Sequence, residues 1–140
     1  MANTIKVIKV VLADDHRDIL ISIATLLEKL PNIHIVGTAE NGKKALDLAR
    51  TTHPDVIILD IDMPILNGLQ VSARLQTTNP EVKILIFSIY DEPSIVRAAF
   101  HQGANGYVLK NQATSDLVKA LEKVARGERF ISAPIANSIL

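Results

Sequence analysis

The strongest constraint on the fold of this chain is a fivefold alternation between short, β-branched apolar runs and longer segments whose apolar residues recur at helical spacing. The runs at residues 10–12 and 56–59 are unbroken, whereas a strand with one solvent-facing side would alternate in polarity. Unbroken runs are typical of parallel strands covered by helices on both faces, and an apolar fraction of 48% favours such a sheet. The sequence predicts five strands, at residues 7–13, 34–38, 56–59, 83–87 and 106–109.

Capping and helix-breaking residues mark the ends of the intervening segments, which we predict to be helices. The first carries an apolar stripe from Ile19 to Leu30 and stops at Pro31. The third, at residues 68–78, closes at Asn79-Pro80. The remaining boundaries are Asn41-Gly42 at the start of the second helix, Pro93 and Gly103 at the two ends of the fourth, and Thr114 or Ser115 and Gly127 at the two ends of the fifth.

Strict alternation of strands and helices with short connections predicts right-handed crossovers and a doubly wound parallel sheet. Five such units favour a three-layer, flavodoxin-like (βα)5 fold with strand order 2-1-3-4-5. The switch point of that order lies between strands 1 and 3, and ligands of such sheets bind there, outside the carboxyl ends of the strands.

The last stretch, residues 128–140, does not continue the five-unit pattern. Ser132-Ala133-Pro134 is typical of a helix start, and the chain ends on the apolar pair Ile139-Leu140. An apolar end in mid-helix favours a linker or extra helix that leads to a further domain outside this chain, since natural termini are usually polar and loose. The alternative is a complete single-domain protein with a short docking helix.

Composition excludes several classes of function. Fifteen basic residues balance fifteen acidic ones, so no overall field draws the chain to nucleic acid or an anionic membrane. The absence of cysteine excludes disulfides and thiolate metal sites. Lys6 and Lys9 interrupt the N-terminal apolar run, which is therefore not a signal peptide, and no apolar stretch reaches the roughly 20 residues of a membrane-spanning helix. We expect a soluble cytoplasmic protein.

Acidic residues follow two strands that the predicted order makes neighbours. Asp14 and Asp15 end strand 1, and Asp60 ends strand 3. Three carboxylates in one pocket cannot all stay ionised without a counter-charge. A hard divalent cation such as Mg²⁺ supplies it, because Mg²⁺ prefers oxygen ligands and keeps several waters.

Two more strand ends add a hydroxyl and an ammonium to the same edge. Ser88 follows strand 4 and Lys110 follows strand 5. Taken singly, Ser88 reads as structural and Lys110 as a solvated residue at a strand end. Together with a metal-bound carboxylate they are what phosphoryl transfer requires, because the carboxylate attacks while the cation and the lysine neutralise charge on the phosphoryl oxygens.

At this point the sequence resembles a known family. Asp14-Asp15, the run Asp60-Ile61-Asp62-Met63-Pro64 with Asn67-Gly68, Ser88, and residues 106–110 resemble the receiver domain of two-component response regulators. The resemblance extends over about residues 6–127, and we assign residues 5–127 to a receiver domain and residues 128–140 to the start of a linker. Residues 125–132 further resemble receivers that precede a helix-turn-helix domain of the LuxR/NarL type.

The resemblance implies a role for each matching residue. It implies a phosphoacceptor switch rather than an enzyme, which takes its phosphoryl group from a sensor histidine kinase. It also implies a DNA-binding domain outside this chain, a homodimer formed on phosphorylation, and no direct binding of nucleic acid or membrane by this fragment. The implied roles are Asp60 as phosphoacceptor; Asp15, Asp60 and the backbone carbonyl of Asp62 as Mg²⁺ ligands, with Asp14 acting through water; Ser88 and Lys110 as contacts to the phosphoryl oxygens; and Ser88 and Tyr107 as the switch pair.

The chain departs from the family at the edges of this site. Asn111 follows Lys110 where many receivers have proline, so we expect a trans peptide bond there. Ile89 and Tyr90 are bulky and predict narrower access to Asp60, or shielding of the phosphorylated residue from water. His16 stands beside the acidic pair, but Mg²⁺ does not call for imidazole.

Three other functions compete with the switch. Asp60-Ile61-Asp62 has the spacing of haloacid-dehalogenase-like phosphatases, although that motif usually ends the first strand of its sheet. A flavodoxin-like carrier of FMN would need a phosphate loop after strand 1, where Asp14 and Asp15 repel phosphate. A receiver that acts alone through protein contacts is the third.

Overall fold

A six-stranded parallel sheet organises the computed structural model, which describes residues 6–111 and 114–136. Its strands are β1 (Ile8–Ala13), β2 (Ile33–Ala39), β3 (Val56–Leu59), β4 (Lys83–Ser88), β5 (Gly106–Leu109) and β6 (Phe130–Ile131). The helices are α1 (Arg17–Glu28), α2 (Gly42–Thr52), α3 (Gly68–Thr78), α4 (Pro93–His101), α5 (Thr114–Ala125) and α6 (Ala133–Ala136). The strand order is β2-β1-β3-β4-β5-β6, which confirms the predicted order of the first five strands.

Two apolar clusters cover the two faces of the sheet, because alternate residues of each strand point to opposite sides. Val11 and Ile57 face the cluster that α2, α3 and α4 complete. Val10 and Ile58 face the cluster that α1 and α5 complete. Every residue of β3 and of β5 is buried, which explains why their sequence does not alternate in polarity.

The predicted capping signals lie where the helices begin and end. The side chain of Asn41 accepts a hydrogen bond from the Lys44 amide at the start of α2. Pro93 opens α4, and Gly103 follows that helix with φ at 107°. Helix α5 begins at Thr114, and residues 112–113, which precede it, lie outside the described part of the chain.

The C-terminal segment packs on the sheet, which the sequence did not predict. Phe130 and Ile131 form β6 and pair in parallel with Gly106 and Tyr107 of β5. The helix predicted to start near Ser132 is present as α6. A strand of two residues is too short to show a pattern of alternating polarity in the sequence. It can be recognised only from its pairing with the edge of β5. The apolar pair Ile139-Leu140, from which a further domain was predicted, lies outside the described residues. The predicted boundary between the receiver domain and the linker at residue 127 stays a prediction.

The backbone settles the prediction made for the peptide bond after Lys110. The described residues contain no cis peptide bond, so the expected trans bond between Lys110 and Asn111 is confirmed. None of the helices in the described ranges is long and apolar enough to cross a membrane.

Candidate functional site

Four of the predicted site residues stand at the carboxyl edge of neighbouring strands. Asp14 directly follows β1, and Asp60 directly follows β3, its neighbour in the sheet. Ser88 is the last residue of β4 and pairs with Leu109 of β5, after which comes Lys110. The parallel register therefore brings residues far apart in sequence to one edge of the sheet.

Lys110 links the two acidic strand ends. Its Nζ atom lies 2.7 Å from Oδ2 of Asp14 and 3.4 Å from Oδ1 of Asp60. The side chains of Asp14 and Asp60 are buried, with exposed fractions of 5% and 6%, and that of Lys110 is largely buried, with 11% exposed. An ammonium held between two buried carboxylates is strongly attracted to both, because the surrounding medium screens the charges weakly.

The charge on Asp60 is only partly compensated. Burial, and after it the neighbouring charge of Asp14, raises the pKa of Asp60 to about 6. Lys110 and the Ile61 amide, which donates a 2.8 Å hydrogen bond to Oδ1, act to lower this pKa without cancelling the burial effect. The site therefore has more negative charge than its own lysine balances.

Asp15 and His16 complete the acidic rim. Nδ1 of His16 lies 3.1 Å from Oδ1 of Asp14 and 3.1 Å from Oδ1 of Asp15, and the His16 amide donates a 2.9 Å hydrogen bond to Asp14. One ligating atom from each of Asp14, Asp15, His16 and Asp60 lies within 4.8 Å of the others. The sequence offered only one signal for His16, its position beside the Asp doublet.

The donor set fits a hard divalent cation. Three carboxylates supply the oxygen ligands that Mg²⁺ prefers, and a cation there would offset both the burial of Asp60 and its repulsion by Asp14, which together raise the pKa of Asp60. The acidic pocket therefore has the chemistry to bind a metal ion.

Ser88 and Tyr107, the predicted switch pair, are connected by hydrogen bonds through the backbone of Tyr90. The Tyr90 amide donates a 3.0 Å hydrogen bond to Oγ of Ser88, and the Tyr107 hydroxyl donates a 2.7 Å hydrogen bond to the carbonyl of Tyr90. Tyr107 is fully buried, and this burial raises the pKa of its hydroxyl to about 12. The aromatic ring of Tyr107 therefore lies inside the fold in this structure.

Tyr90 also spans the site to the loop that follows Asp60. Its hydroxyl donates a hydrogen bond to Oδ2 of Asp62, whose side chain is exposed. Sequence reasoning considered Tyr90 only as a bulky neighbour, since no local pattern pairs residues 28 positions apart. The role predicted for the Asp62 backbone carbonyl stays a prediction.

The loop after Asp60 is fixed where α3 begins. Asn67 and Gln70 form a reciprocal capping box, in which each side chain accepts a hydrogen bond from the other residue's amide. Gly68 packs so closely that a Cβ atom there would lie 2.2 Å from the Asp60 carbonyl oxygen. Asn67-Gly68 is thus a helix start packed against the backbone of Asp60.

Fold and site together define a doubly wound α/β domain with an acidic pocket at its switch point, neutralised in part by one lysine. The chain belongs to the response regulator receiver domain family, whose model matches residues 10–122. Its relatives place it with receivers of the LuxR/NarL type.

The relatives and structures support this membership over most of the chain. The chain is 37% identical to the nitrate/nitrite response regulator NarL of Escherichia coli over 88% of its own length and 57% of that protein. It is 33% identical to the transcriptional regulatory protein DegU of Brevibacillus brevis, over 95% of this chain and 56% of that protein. It therefore spans little more than half the length of these curated relatives.

Solved structures share the fold. A LuxR-family response regulator from an Aurantimonas species superposes with a TM-score of 0.92 and 30% identity, over 96% of both chains. The signal receiver domain of NarL from Mycobacterium tuberculosis superposes with a TM-score of 0.85 and 35% identity, over 88% of this chain and 99% of that one. The family match favours neither the phosphatase nor the FMN carrier.

Proposed function

We propose that this domain is a switch that accepts a phosphoryl group on Asp60 from a phosphohistidine of a sensor histidine kinase. The observation that carries the proposal is the buried ammonium of Lys110, which lies within 3.4 Å of Asp60 and 2.7 Å of Asp14. A carboxylate nucleophile with a fixed cation beside it is suited to phosphoryl transfer, in which catalysis consists largely of positioning and charge stabilisation.

The transfer step uses the residues in defined roles. An Asp60 carboxylate oxygen bonds to phosphorus while the phosphorus–nitrogen bond to the donor imidazole breaks, and the electron pair leaves with the nitrogen. With a pKa of about 6, Asp60 is mostly ionised at neutral pH and available as the nucleophile. Lys110 neutralises charge on the transferred group, and the Ser88 hydroxyl, at the end of the adjacent strand, donates to one of its oxygens.

We assign Mg²⁺ as the cofactor of this step. Asp15, Asp60 and the Asp62 carbonyl would hold the ion, with Asp14 acting through a bound water. When bound, Mg²⁺ offsets the excess negative charge of the pocket and of the phosphoryl oxygens.

The relatives support a proposal for the output of the switch. NarL of Escherichia coli is a response regulator and DegU a transcriptional regulatory protein, and both extend well beyond the matched region. RcsB, 26% identical over 96% of this chain, has been seen as dimers bound to DNA. We therefore propose that phosphorylation controls a DNA-binding domain outside this chain, through homodimerisation, in the cytoplasm. A receiver that acts alone through protein contacts is the alternative.

Phosphorylation by a small donor tests the proposal directly. Incubation with acetyl phosphate and Mg²⁺, followed by intact-mass measurement, is expected to add one phosphoryl group to the wild-type protein. Asp60→Asn should add none, whereas Asp47→Asn, which removes an exposed carboxylate on α2, should behave as wild type. An unmodified wild-type protein, or an equal adduct on Asp60→Asn, would overturn the assignment.

Lys110 offers a second test with a matched variant. Lys110→Met is expected to slow phosphorylation by acetyl phosphate roughly 100-fold, because removal of one preorganised charge-stabilising group typically has an effect of that size. Lys110→Arg keeps the charge and should retain more of the rate, although its planar group fits a point-charge position poorly. Equal rates for Lys110→Met and wild type would remove Lys110 from the mechanism.

A further inference from the structure

The segment that follows α5 is hydrogen-bonded to β5, the strand that contains Tyr107 and directly precedes Lys110. Ser132 directly follows β6 and is completely buried. Its amide donates a 3.0 Å hydrogen bond to the Tyr107 carbonyl, and its Oγ accepts a 3.0 Å hydrogen bond from the Leu109 amide. Ser132 is thus hydrogen-bonded to two backbone groups at the outer edge of β5, the Tyr107 carbonyl and the Leu109 amide.

Strand β5 is connected to the proposed phosphorylation site in two ways. Lys110, next to Leu109, binds Asp14 and Asp60 through its side chain, and its amide donates a 2.8 Å hydrogen bond to the Ser88 carbonyl. The Tyr107 hydroxyl is bonded to the Tyr90 carbonyl. Any rearrangement of the lysine or the tyrosine therefore acts on the backbone to which Ser132 is attached.

Beyond Ser132 the chain is anchored rather than loose. The Ser132 carbonyl accepts hydrogen bonds of 3.1 Å from the Ile135 and Ala136 amides, which form the turn of α6. Ile135 is 2% exposed and belongs to the same core cluster as Tyr107 and Leu109. A shift in β5 would thus pass into residues 132–136 and, in a longer protein, into whatever follows residue 140.

We propose that Ser132 is a positioning residue that couples the occupancy of Asp60 to the conformation of residues 132–136. This inference rests on the proposed function, because it needs a phosphoryl group or its mimic at Asp60. Coupling between two sites is reciprocal, so loss of the Ser132 hydroxyl must also change the affinity of the site for that group.

Amide exchange followed by NMR, with Mg²⁺ and beryllofluoride as the probe, tests the coupling in wild-type protein. Saturation is expected to change the exchange rates of the Leu109, Ser132, Ile135 and Ala136 amides by at least about five-fold, the lower end of typical coupling. Amides next to Asp60 must respond in the same titration. If they do not, the proposed function fails; if they respond while residues 132–136 stay unchanged, only the present inference fails.

Ser72 provides the matched control. It is also completely buried, and its hydroxyl donates a 2.8 Å hydrogen bond to the Gln102 carbonyl, at the junction of α3 and α4 and away from β5. Ser132→Ala is expected to change the apparent affinity for beryllofluoride about five-fold and to abolish the response of the Ile135 and Ala136 amides. Ser72→Ala should leave both unchanged, even if it lowers stability as much. Equal effects of the two substitutions would show Ser132 to be merely structural and would overturn the inference.

Discussion

Two buried carboxylates, Asp14 and Asp60, share one largely buried ammonium in the acidic pocket. Lys110 lies closer to Asp14 than to Asp60, at 2.7 Å against 3.4 Å, so Asp60 is the less well neutralised partner. Burial without full compensation makes the charged form costly, which is why the pKa of Asp60 rises to about 6. The charged carboxylate of Asp60 therefore lowers the stability of the fold.

Asp60→Asn is expected to stabilise the metal-free protein in a pH-dependent way. The folded-state pKa of about 6 lies above the ordinary value of 3.8, so the wild-type folded state binds more protons in this window and loses stability as the pH rises through it. The variant lacks this loss and should unfold with a free energy higher by on the order of 1–3 kcal/mol at pH 7.

Urea unfolding in metal-free buffer at pH 7 and at pH 4 measures this difference. The advantage of Asp60→Asn should shrink at the lower pH, where the wild-type side chain is largely protonated in the folded state. An advantage that is the same at both pH values would contradict the electrostatic explanation.

Ile65 adopts a strained backbone conformation in the loop after Asp60. Its φ is 73°, a region unfavourable for a β-branched residue, and a 2.8 Å hydrogen bond from the Leu66 amide to the Pro64 carbonyl closes a tight turn around it. Because the side chain is 69% exposed, it gains little from packing. Ile65→Gly is expected to raise the free energy of unfolding by up to about 1 kcal/mol, since strain relief exceeds the entropy that glycine loses.

Chemical denaturation of Ile65→Gly beside Ile89→Gly separates backbone strain from the loss of an exposed apolar side chain. Ile89 is 68% exposed and is not among the described residues with positive φ. A stability gain of the same size in both variants would argue against strain at Ile65.

Helix α3 packs against the loop that follows Asp60. The capping box of Asn67 and Gln70 defines where the helix begins, and the amide of Gly68 donates a 2.8 Å hydrogen bond to the Ile61 carbonyl. The helix start is therefore packed directly against the backbone that carries Asp60. Its contribution is geometric, because it fixes the direction in which the strand end leaves the sheet.

Gly68→Ala should disturb both stability and phosphorylation. The added Cβ would lie 2.2 Å from the Asp60 carbonyl oxygen, so the loop must move, at a cost of about 1–3 kcal/mol. Acetyl phosphate labelling should slow along with the loss of stability.

Gly127→Ala is the control for this prediction. Gly127 has φ at 87°, but no described atom beyond its own chain neighbours lies within 4 Å of the position that a Cβ would take, so substitution there strains only the backbone, by about 1 kcal/mol. It should lower stability without slowing phosphorylation. Equal labelling rates for the two alanine variants would show that Gly68 does not position Asp60.

For the molecule as a whole, the two apolar clusters cover the two faces of the sheet, while its carboxyl edge collects the charged groups. The acidic pocket thus lies at the end of strands that are packed on both sides. Binding of a cation at that edge should therefore stabilise the entire fold, through preferential binding to the folded state.

Mg²⁺ is expected to raise the free energy of unfolding by about 2.7 kcal/mol at 100 times its dissociation constant. Asp15→Asn should lose most of this gain. Because Asp15 is exposed, the substitution should change the stability of the metal-free protein little. Glu40→Gln, which alters another exposed carboxylate, paired with Arg17 at the start of α1, should retain the gain. Urea unfolding with and without Mg²⁺ decides the matter, and equal stabilisation of all three proteins would place the ion elsewhere.

The sequence by itself determined the order of elements and the chemistry at the strand ends. Unbroken apolar runs, helical stripes and capping residues are local signals, and they located β3 and β5 with the bounds the structure has. The carboxyl ends of parallel strands lie at one edge of the sheet, so the predicted strand order already implied that Asp14, Asp60 and Lys110 lie near one another.

Tertiary structure alone decided the contacts that join distant segments without a local pattern. Three contacts depend on which distant segment the fold places nearby: the pairing of β6 with β5, the hydrogen bond from Tyr90 to Asp62, and the hydrogen bond between Ser132 and Leu109. The strained φ of Ile65 is likewise set by its surroundings, since the sequence around it favours no such conformation. Periodicity and propensity describe how a segment folds on itself, whereas these features arise from what each segment packs against.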